Sequence, residues 1–210
     1  DAGGLWDKYP VEQVATPEGY ARNPELVINF YNERRKQLLE VRPNDGHLGL
    51  AELEADFNVT VVTQNIDNLH ERAGSRRIIH LHGELTKVCS SRDPYNPHYI
   101  KELKPDEYEV KFGDKAGDGT QLRPFIVWFG EPVPEIETAV NYVEKADIFV
   151  IIGTSMNVYP AAGLLNYVPR EAEVYLIDPK PVDVHSMRRI HVIQKGASEG
   201  VRELRSLLQS

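Results

Sequence analysis

The run of apolar residues from Ile148 to Ile152, bounded by Asp147 and Gly153, constrains the fold of this chain more than any other feature. It lacks the alternation of apolar and polar side chains that marks a half-buried strand, so it predicts a strand buried on both faces. The run from Val59 to Thr63 is β-branched throughout and predicts a second buried strand. Strands of this kind are typical of parallel sheets that are covered by helices.

Helical patterns alternate with the predicted strands. One helix begins at Pro24 with Asn23 as its N-cap, because these residue types are preferred at those two positions. Further helices are predicted at residues 45–56, 67–73, 135–146 and 161–167, and from 197 onward. Further strands are predicted at residues 77–82, 124–129, 174–178 and 191–194. The alternation predicts an α/β fold with a parallel sheet that is covered by helices on both faces.

Residues 86–122 interrupt this alternation. They are rich in Pro, Tyr, Asp, Lys and Gly and show no lasting apolar period. We expect an inserted module or a long loop there, and a length of 210 residues fits one domain with such an insertion.

Composition narrows the classes of function. With 24 basic and 32 acidic residues the net charge is −8, which argues against a general nucleic-acid binder. No apolar run approaches the ~20 residues that a membrane-spanning helix needs. The single cysteine, Cys89, can form neither an internal disulfide nor a cysteine-based zinc site alone, and one thiol fits a reducing compartment. We therefore expect a cytoplasmic protein that binds neither nucleic acid nor membrane.

Ligands of parallel sheets lie beyond the carboxyl ends of the strands. At one such end, the glycine and hydroxyls of Gly153-Thr154-Ser155 can hold phosphate oxygens, although an ordinary turn at the end of a strand explains them about as well. At another end, Asp178 can accept from ribose hydroxyls or begin a turn before Pro179. Together these residues suggest a nucleotide, but there is no GxGxxG or Walker sequence.

Two histidines stand two residues apart, at His80 and His82. Because alternate side chains of a strand share a face, the two rings could point the same way. A metal-binding pair, a catalytic base beside a bystander, and ordinary packing all remain open at this point.

Several polar motifs occur in a fixed order along the chain. They are Thr63 to His70 (TQNIDNLH), His82-Gly83, Phe129-Gly130-Glu131 and Gly153-Thr154-Ser155. In this order they resemble the signatures of the sirtuin family, NAD-dependent protein-lysine deacylases with a Rossmann-like large domain and a small second domain. The resemblance runs from Asp1 to the closing helix. It implies a Rossmann-like parallel sheet with a small helical and irregular second module.

The resemblance also implies a domain organisation. Residues 1–210 would form one catalytic domain, with residues 10–43 as the helical part of the small module and residues 86–122 as its inserted part. Residues 44–85 and 123–210 would form the Rossmann-like core. The family's Gly-Ala-Gly-x-Ser phosphate loop belongs just before Asp1 and is not in this sequence, so we expect the domain to be N-terminally incomplete.

Roles are assigned by the resemblance, residue by residue. His82 matches the catalytic base, and Asn65 matches a catalytic residue beside the nicotinamide ribose. The residues that match NAD contacts are Gln64, Asn65, Ile66, Asp67, Gly153, Thr154, Ser155, Asp178 and Ala197. The residues that match the two segments holding the acyl-lysine peptide as an added strand are Val127, Phe129, Gly130, Glu131, Val158 and Tyr159.

The reaction implied by the resemblance fits the chemistry of these side chains. The acyl amide oxygen attacks the ribose carbon that bears nicotinamide, and nicotinamide leaves. A neutral His82, with a reference pKa near ~6.5, can then take a proton from a ribose hydroxyl. The products are nicotinamide, O-acyl-ADP-ribose and free lysine.

A tyrosine and an arginine in the first long helix suggest which acyl group is removed. Tyr31 and Arg34 are three residues apart and share a helix face, where a phenol and a guanidinium suit a carboxylate. An isolated pair of this kind is usually structural. In the family context it resembles the pair that marks sirtuins removing succinyl and malonyl groups, and Ala2 matches a small residue that leaves room for the longer chain. We expect acetyl removal to persist alongside.

The chain departs from the family at its zinc site. Many sirtuins carry two Cys-x-x-Cys pairs, whereas residues 86–122 contain Cys89 alone and His98 as the nearby imidazole. Two ligands do not complete a tetrahedral site, so we expect no zinc. We expect aromatic packing to hold this segment instead, through Tyr95, Tyr99, Tyr108 and Phe112.

Three rival functions remain open from the sequence. The first is a sirtuin-like NAD hydrolase or ADP-ribosyltransferase without an acyl-lysine acceptor. The second is a non-catalytic NAD-binding remnant that lacks the phosphate loop. The third is a metal hydrolase built on His80 and His82, which lacks an evident third ligand. We expect a monomer that acts on acyl-lysine proteins or peptides.

Overall fold

The structure, a computed structural model, describes residues 8–153, 161–182 and 188–210. Its α-helices are α1 (Val11–Val14), α2 (Pro17–Arg22), α3 (Pro24–Leu38), α4 (Asp45–Glu52), α5 (Leu69–Ala73), α6 (Ile136–Val143), α7 (Ala161–Leu164) and α8 (Ala197–Gln209). Its strands are β1 (Val61–Thr63), β2 (Ile78–His80), β3 (Gly83–Ser90), β4 (Lys101–Glu102), β5 (Leu122–Ile126), β6 (Ile148–Ile152), β7 (Glu173–Ile177) and β8 (Ile190–Ile193). Short 3₁₀ turns lie at Leu53–Ala55, Pro97–Tyr99, Pro105–Glu107 and Leu165–Tyr167.

The chain divides into two compact units. The first unit draws on residues 1–41, 65–68 and 80–133, and the second on residues 42–64, 69–79 and 134–210.

A parallel sheet forms the centre of the second unit. Strands β6, β7 and β8 pair in that order, with Ile152 opposite Ile177 and Ile177 opposite Ile193. The apolar run from Ile148 to Ile152 forms β6, so the prediction of a parallel α/β sheet is confirmed. The prediction that this strand is buried on both faces is wrong, because all its residues are only partly buried and it pairs with β7 alone among the described strands. Strands β1 and β2 pair with each other in a separate two-stranded sheet.

Helix α8 covers one side of this parallel sheet. Its residues Val201 and Leu204 pack with Ile177 and Ile193 in one buried cluster. A Cβ placed on Gly200 would lie 2.2 Å from Cγ2 of Ile177, so the helix approaches β7 as closely as a glycine allows. Burial of these aliphatic side chains is the main term that stabilises the second unit.

The first unit contains an antiparallel sheet instead. Strand β3 lies between β4 and β5, with Lys87 opposite Glu102 and Ser90 opposite Leu122. Residues 86–90, which the sequence analysis assigned to an irregular insertion, are therefore the second half of β3. The apolar period is broken there because Thr86 and Lys87 are only partly buried.

Helix α3 is tied to this region by buried polar side chains. Nδ2 of Asn32 donates to the Val110 carbonyl at 2.7 Å, and its Oδ1 accepts from the Val110 amide at 2.8 Å. The Arg35 guanidinium donates to the carbonyls of Tyr108 at 2.7 Å and Leu85 at 3.3 Å. These bonds give hydrogen-bond partners to backbone groups in the interior of the first unit, as buried backbone polar groups require.

The predicted aromatic packing of residues 86–122 is only partly correct. Tyr95 meets Phe125 edge to face at 6.3 Å, but Phe112 is 60% exposed. A hydrogen-bonded cluster contributes in its place: Oγ of Ser90 donates to Asp118 at 2.5 Å, and Oγ1 of Thr120 donates to the same carboxylate at 2.7 Å.

No helix within the described ranges is both long enough and apolar enough to cross a bilayer.

Candidate active site

His82 lies in a turn between β2 and β3 that only glycine can complete. Gly83 has a φ of +89°, and a Cβ there would meet the Phe125 carbonyl oxygen at 2.1 Å. The His82 carbonyl accepts from the Val127 amide at 2.9 Å. The backbone of the candidate base is therefore fixed against the segment that follows β5.

The two histidines have different surroundings. Strand β2 ends at His80, so the strand alternation that would place both rings on one face does not reach His82. The His80 ring is buried, and its Nδ1 lies 3.0 Å from the Asn65 carbonyl oxygen. Because a carbonyl oxygen can only accept a hydrogen bond, Nδ1 carries the proton. His82 is half-buried, and this burial lowers its pKa, which favours the neutral ring that a general base needs.

Residues 64–68 carry several groups that suit a ligand. Nε2 of Gln64 and Oδ1 of Asn68 are buried and have no hydrogen-bond partner among the described residues. Asn65 is exposed, and the Ile66 carbonyl accepts from the Leu85 amide at 2.8 Å, which fixes this loop to β3. Buried polar atoms are costly unless a partner reaches them, so the orphaned atoms favour a bound polar molecule.

The segment from Val127 to Glu131 presents one side chain to solvent and turns another inward. Phe129 is 69% exposed, while its amide donates to the Ala15 carbonyl at 3.0 Å. Gly130 has a φ of +91°, which lets the chain turn back. The Glu131 carboxylate then accepts from the Trp128 amide at 2.8 Å. The Glu131 side chain therefore holds this turn together, and the contact of this segment with an acyl-lysine peptide stays a prediction.

A buried arginine completes that arrangement. Arg123 donates to both carboxylate oxygens of Glu131 at 3.0 Å, and its guanidinium lies 3.9 Å from the ring centroid of Trp128. Sequence reasoning missed Arg123 and Trp128. A buried arginine needs an anionic partner, but the sequence alone does not show that Arg123 is buried.

Tyr31 and Arg34 lie on α3, as predicted. The Tyr31 hydroxyl is buried, donates to the Val14 carbonyl at 2.9 Å and accepts from Nε1 of Trp128 at 3.1 Å. Burial raises the pKa of Tyr31 to about 12, so it is a proton donor at neutral pH. Burial also lowers the pKa of Arg34, and the charges of Tyr31 and Asp67 oppose that shift.

Two more predicted residues meet at one edge of the parallel sheet in the second unit. Gly153 follows β6 with a φ of +64°, and no described atom lies within 4 Å of the position a Cβ would take. Asp178 follows the neighbouring strand β7, and its Oδ1 accepts from the Lys180 amide at 2.9 Å. The turn-forming role of Asp178 is confirmed, and its ribose contact stays a prediction. Ala197 begins α8, whose N-cap Gly196 offers no side-chain cap.

The remaining predicted site residues lie outside the described part of the chain. They are Ala2, Thr154, Ser155, Val158 and Tyr159.

The environment of Cys89 does not suit zinc. Its thiol is buried and donates to the Pro124 carbonyl oxygen at 3.7 Å. Burial raises the pKa of this thiol to about 12. Zinc binds the thiolate, which this site disfavours.

Comparison with known proteins gives one consistent result. A family model described as the Sir2 family matches residues 1–160. The chain is 85% identical over 208 residues to an NAD-dependent protein deacylase of Bacteroides thetaiotaomicron, covering 99% of this chain and 89% of that protein. It is 47% identical over 204 residues to a protein of the same name from Helicobacter pylori, covering 97% and 86% respectively.

Solved structures agree with the sequence comparisons. A mutant Sir2 homologue in complex with ADP-ribose superimposes with a TM-score of 0.81 at 34% identity, covering 100% of this chain and 85% of that one. A Sir2 homologue in complex with NAD gives a TM-score of 0.78 at 35% identity, covering 98% and 81%.

Proposed function

The chain belongs to the Sir2 family, and from this premise we propose that it removes acidic acyl groups, succinyl and malonyl, from protein lysines, with some activity on acetyl groups. It is an NAD-dependent protein deacylase, and NAD is its co-substrate. The preference for an acidic acyl group is the new element of the proposal.

The pair formed by Tyr31 and Arg34 carries that preference. The two residues lie three apart on α3, and burial, which lowers the pKa of Arg34, partly withdraws its guanidinium from water. A partly desolvated guanidinium attracts an anion, and its planar fork matches a carboxylate. Acetyl-lysine offers no carboxylate, so this pair can distinguish acyl groups by charge.

The residues around the sheet ends support NAD binding. No described atom lies within 4 Å of a Cβ placed on Gly153, which suits close approach of a phosphate, and the N-terminus of α8 at Ala197 favours negative charge. The buried Nε2 of Gln64 lacks a partner among the described residues and suits a ligand carbonyl. When bound, NAD supplies the ribose carbon that accepts the acyl oxygen and the nicotinamide that leaves.

The chemistry of the chain's own residues then follows. Neutral His82, whose lowered pKa keeps it unprotonated, accepts a proton from a sugar hydroxyl through one ring nitrogen. Asn65 stands on a loop fixed by His80 and Leu85, so its side chain is presented from a rigid base. The exposed Phe129 and the backbone beside it offer an edge for an extended acyl-lysine peptide.

We also propose that the enzyme acts as a monomer in the cytoplasm without binding nucleic acid. The excess of acidic residues and the single reduced thiol support this. Light scattering of the purified protein tests the oligomeric state, and a mass of twice the monomer would contradict it.

One assay tests the acyl preference. Nicotinamide release from NAD is measured with succinyl-, malonyl- and acetyl-lysine peptides for the wild type, Arg34→Met and His82→Ala. We expect Arg34→Met to lose on the order of a hundredfold in kcat/KM for the acidic acyl groups, the size of a lost charge-assisted hydrogen bond, and far less for acetyl. His82→Ala should lose turnover of all three.

The matched control is Lys36→Met, which removes an exposed cation from the same helix. It should behave as the wild type. Equal losses for acidic and acetyl groups in Arg34→Met would contradict the carboxylate-binding role. NAD consumption without any peptide would instead favour a hydrolase.

A further inference from the structure

Trp128 contacts two parts of the candidate site that are distant in sequence, namely Tyr31 on α3 and the turn closed by Glu131. Its indole is buried, and its Nε1–H donates to the Tyr31 hydroxyl at 3.1 Å. Its backbone amide donates to Glu131 at 2.8 Å, within the segment proposed to hold the peptide. The residue therefore contacts both the acyl-reading tyrosine and the peptide-binding turn.

The indole has little freedom to move. The Arg123 guanidinium lies 3.9 Å from its ring centroid, and the Tyr20 ring lies 5.2 Å away on a tilted plane. Arg123 is itself held by both carboxylate oxygens of Glu131. The direction of the Trp128 N–H bond is thus fixed by its surroundings.

The Tyr31 hydroxyl has one proton and two lone pairs. At present the proton points to the Val14 carbonyl at 2.9 Å, and one lone pair accepts from Trp128. A carboxylate can only accept, so to bind one the tyrosine must turn its proton away from Val14. The bond from Trp128 does not have to break during that change.

We propose that Trp128 is a specificity-determining positioning residue, whose indole N–H holds the Tyr31 oxygen in place while the hydroxyl proton turns from the Val14 carbonyl to the carboxylate of an acidic acyl group. This inference rests on the proposed preference for acidic acyl groups. The step requires rotation of the Tyr31 O–H bond while the bond from Trp128 is kept.

The proposed role acts on acidic groups alone. An acetyl group presents no carboxylate, so the Tyr31 hydroxyl keeps donating to the Val14 carbonyl, and the bond from Trp128 has no effect on the acetyl substrate. With an acidic group, the donated N–H also polarises the hydroxyl and strengthens its hydrogen bond to the carboxylate. Without the Trp128 donor, the Tyr31 oxygen would have no fixed partner once its proton turns away from the Val14 carbonyl.

The test replaces the donor and keeps an aromatic ring. For the wild type, Trp128→Phe, Tyr31→Phe and the double variant, kcat and KM are measured with succinyl- and acetyl-lysine peptides and NAD. We expect Trp128→Phe to lower kcat/KM for succinyl about tenfold, mainly through KM, and to change acetyl less than about twofold. The double variant should lose no more than Tyr31→Phe alone, because both act through one oxygen.

Tyr20→Phe is the matched control. It leaves a ring against Trp128 and removes only the hydroxyl that bonds Ser91 at 2.7 Å. It should leave both substrates unchanged.

The outcomes separate this inference from the proposed function. A wild type that does not prefer succinyl over acetyl refutes both. If the wild type prefers succinyl, two results overturn the role of Trp128 alone. Either Trp128→Phe keeps the preference, or it lowers kcat/KM equally for both substrates. If Trp128→Phe does not fold, the assigned indole N–H resonance of the wild type decides. We expect that resonance to shift with succinyl-lysine peptide and not with acetyl-lysine peptide, and the same shift with both would overturn the inference.

Discussion

The two units of the molecule are stabilised in different ways. The second is built around a parallel sheet whose strand β6 is apolar along its whole length and whose core is aliphatic. The first relies on buried polar side chains that reach across the sequence, such as Asn32 to Val110 over 78 residues and Arg35 to Leu85 over 50. Local sequence patterns therefore specify the parallel sheet of the second unit, whereas the structure of the first unit depends on partners that are distant in sequence.

The polar bonds of the first unit also position residues of the candidate site. In the first unit, the polar bonds around Arg123, Glu131 and Trp128 fix the turn that presents Phe129. Hydrogen bonds have directional geometry, so they position a side chain more narrowly than apolar contact does. The unit that we propose to read the acyl group is also the one that polar bonds hold in place.

The largest effect is expected from an aliphatic truncation in the second unit. Leu176 is fully buried on β7, the middle strand, and Leu176→Ala should lower the free energy of unfolding by about 3 kcal/mol through lost burial and a cavity. Urea unfolding measures it. The control Leu207→Ala, on a side chain 48% exposed, should cost well under half as much. Similar losses for both would contradict the aliphatic account.

A polar truncation in the first unit should come next. Asn32→Ala leaves the buried amide and carbonyl of Val110 without their partner, at a cost of about 2 kcal/mol. Amide hydrogen exchange at Val110 should accelerate as well. The control Asn29→Ala changes an exposed asparagine of the same helix and should be nearly neutral. If Asn32→Ala is equally neutral, the polar bonds do not stabilise this unit.

A smaller effect is expected on the pH dependence of the reaction. Burial lowers the pKa of His82, so the neutral ring persists to lower pH than in an exposed histidine. The acidic limb of kcat/KM should therefore have its midpoint below about 6.5, with activity retained above it and lost as pH falls through it. An acidic limb at or above that reference would be inconsistent with a buried base.

The smallest effect is expected from removing metal. The Cys89 thiol is buried with its pKa raised to about 12, and Ser90, Asp118 and Thr120 bond one another beside it. Incubation with a chelator should leave Tm unchanged to within about 1 °C, whereas a structural zinc site would make folding depend on the metal. Stoichiometric zinc in the purified protein would overturn this prediction.

Sequence reasoning succeeded where one segment encodes its own structure. The apolar strand from Ile148 to Ile152 is where the run of residues placed it, and Asn23 caps α3 by accepting from the Leu26 amide. In each case the determining contacts are local or set by burial alone.

Sequence reasoning failed where the partner of a segment or side chain lies far away in sequence. Strand β3 continues through Ser90 because β5 pairs with it more than 30 residues later, and nothing near Thr86 indicates that partner. The inward side chain of Glu131 could not be foreseen without Arg123. The bonds of the Tyr31 hydroxyl to Val14 and Trp128 could not be foreseen either, because these partners lie 17 and 97 residues away.

A competition assay tests the central claim most directly. Equal concentrations of succinyl- and acetyl-lysine peptides of one sequence are mixed with limiting enzyme and saturating NAD, and both products are followed by mass spectrometry. The ratio of initial rates then gives the ratio of kcat/KM values. The account predicts that the succinyl peptide is consumed at least about tenfold faster, as expected when the half-buried Arg34 guanidinium binds its carboxylate. Equal consumption, or faster consumption of the acetyl peptide, would contradict it.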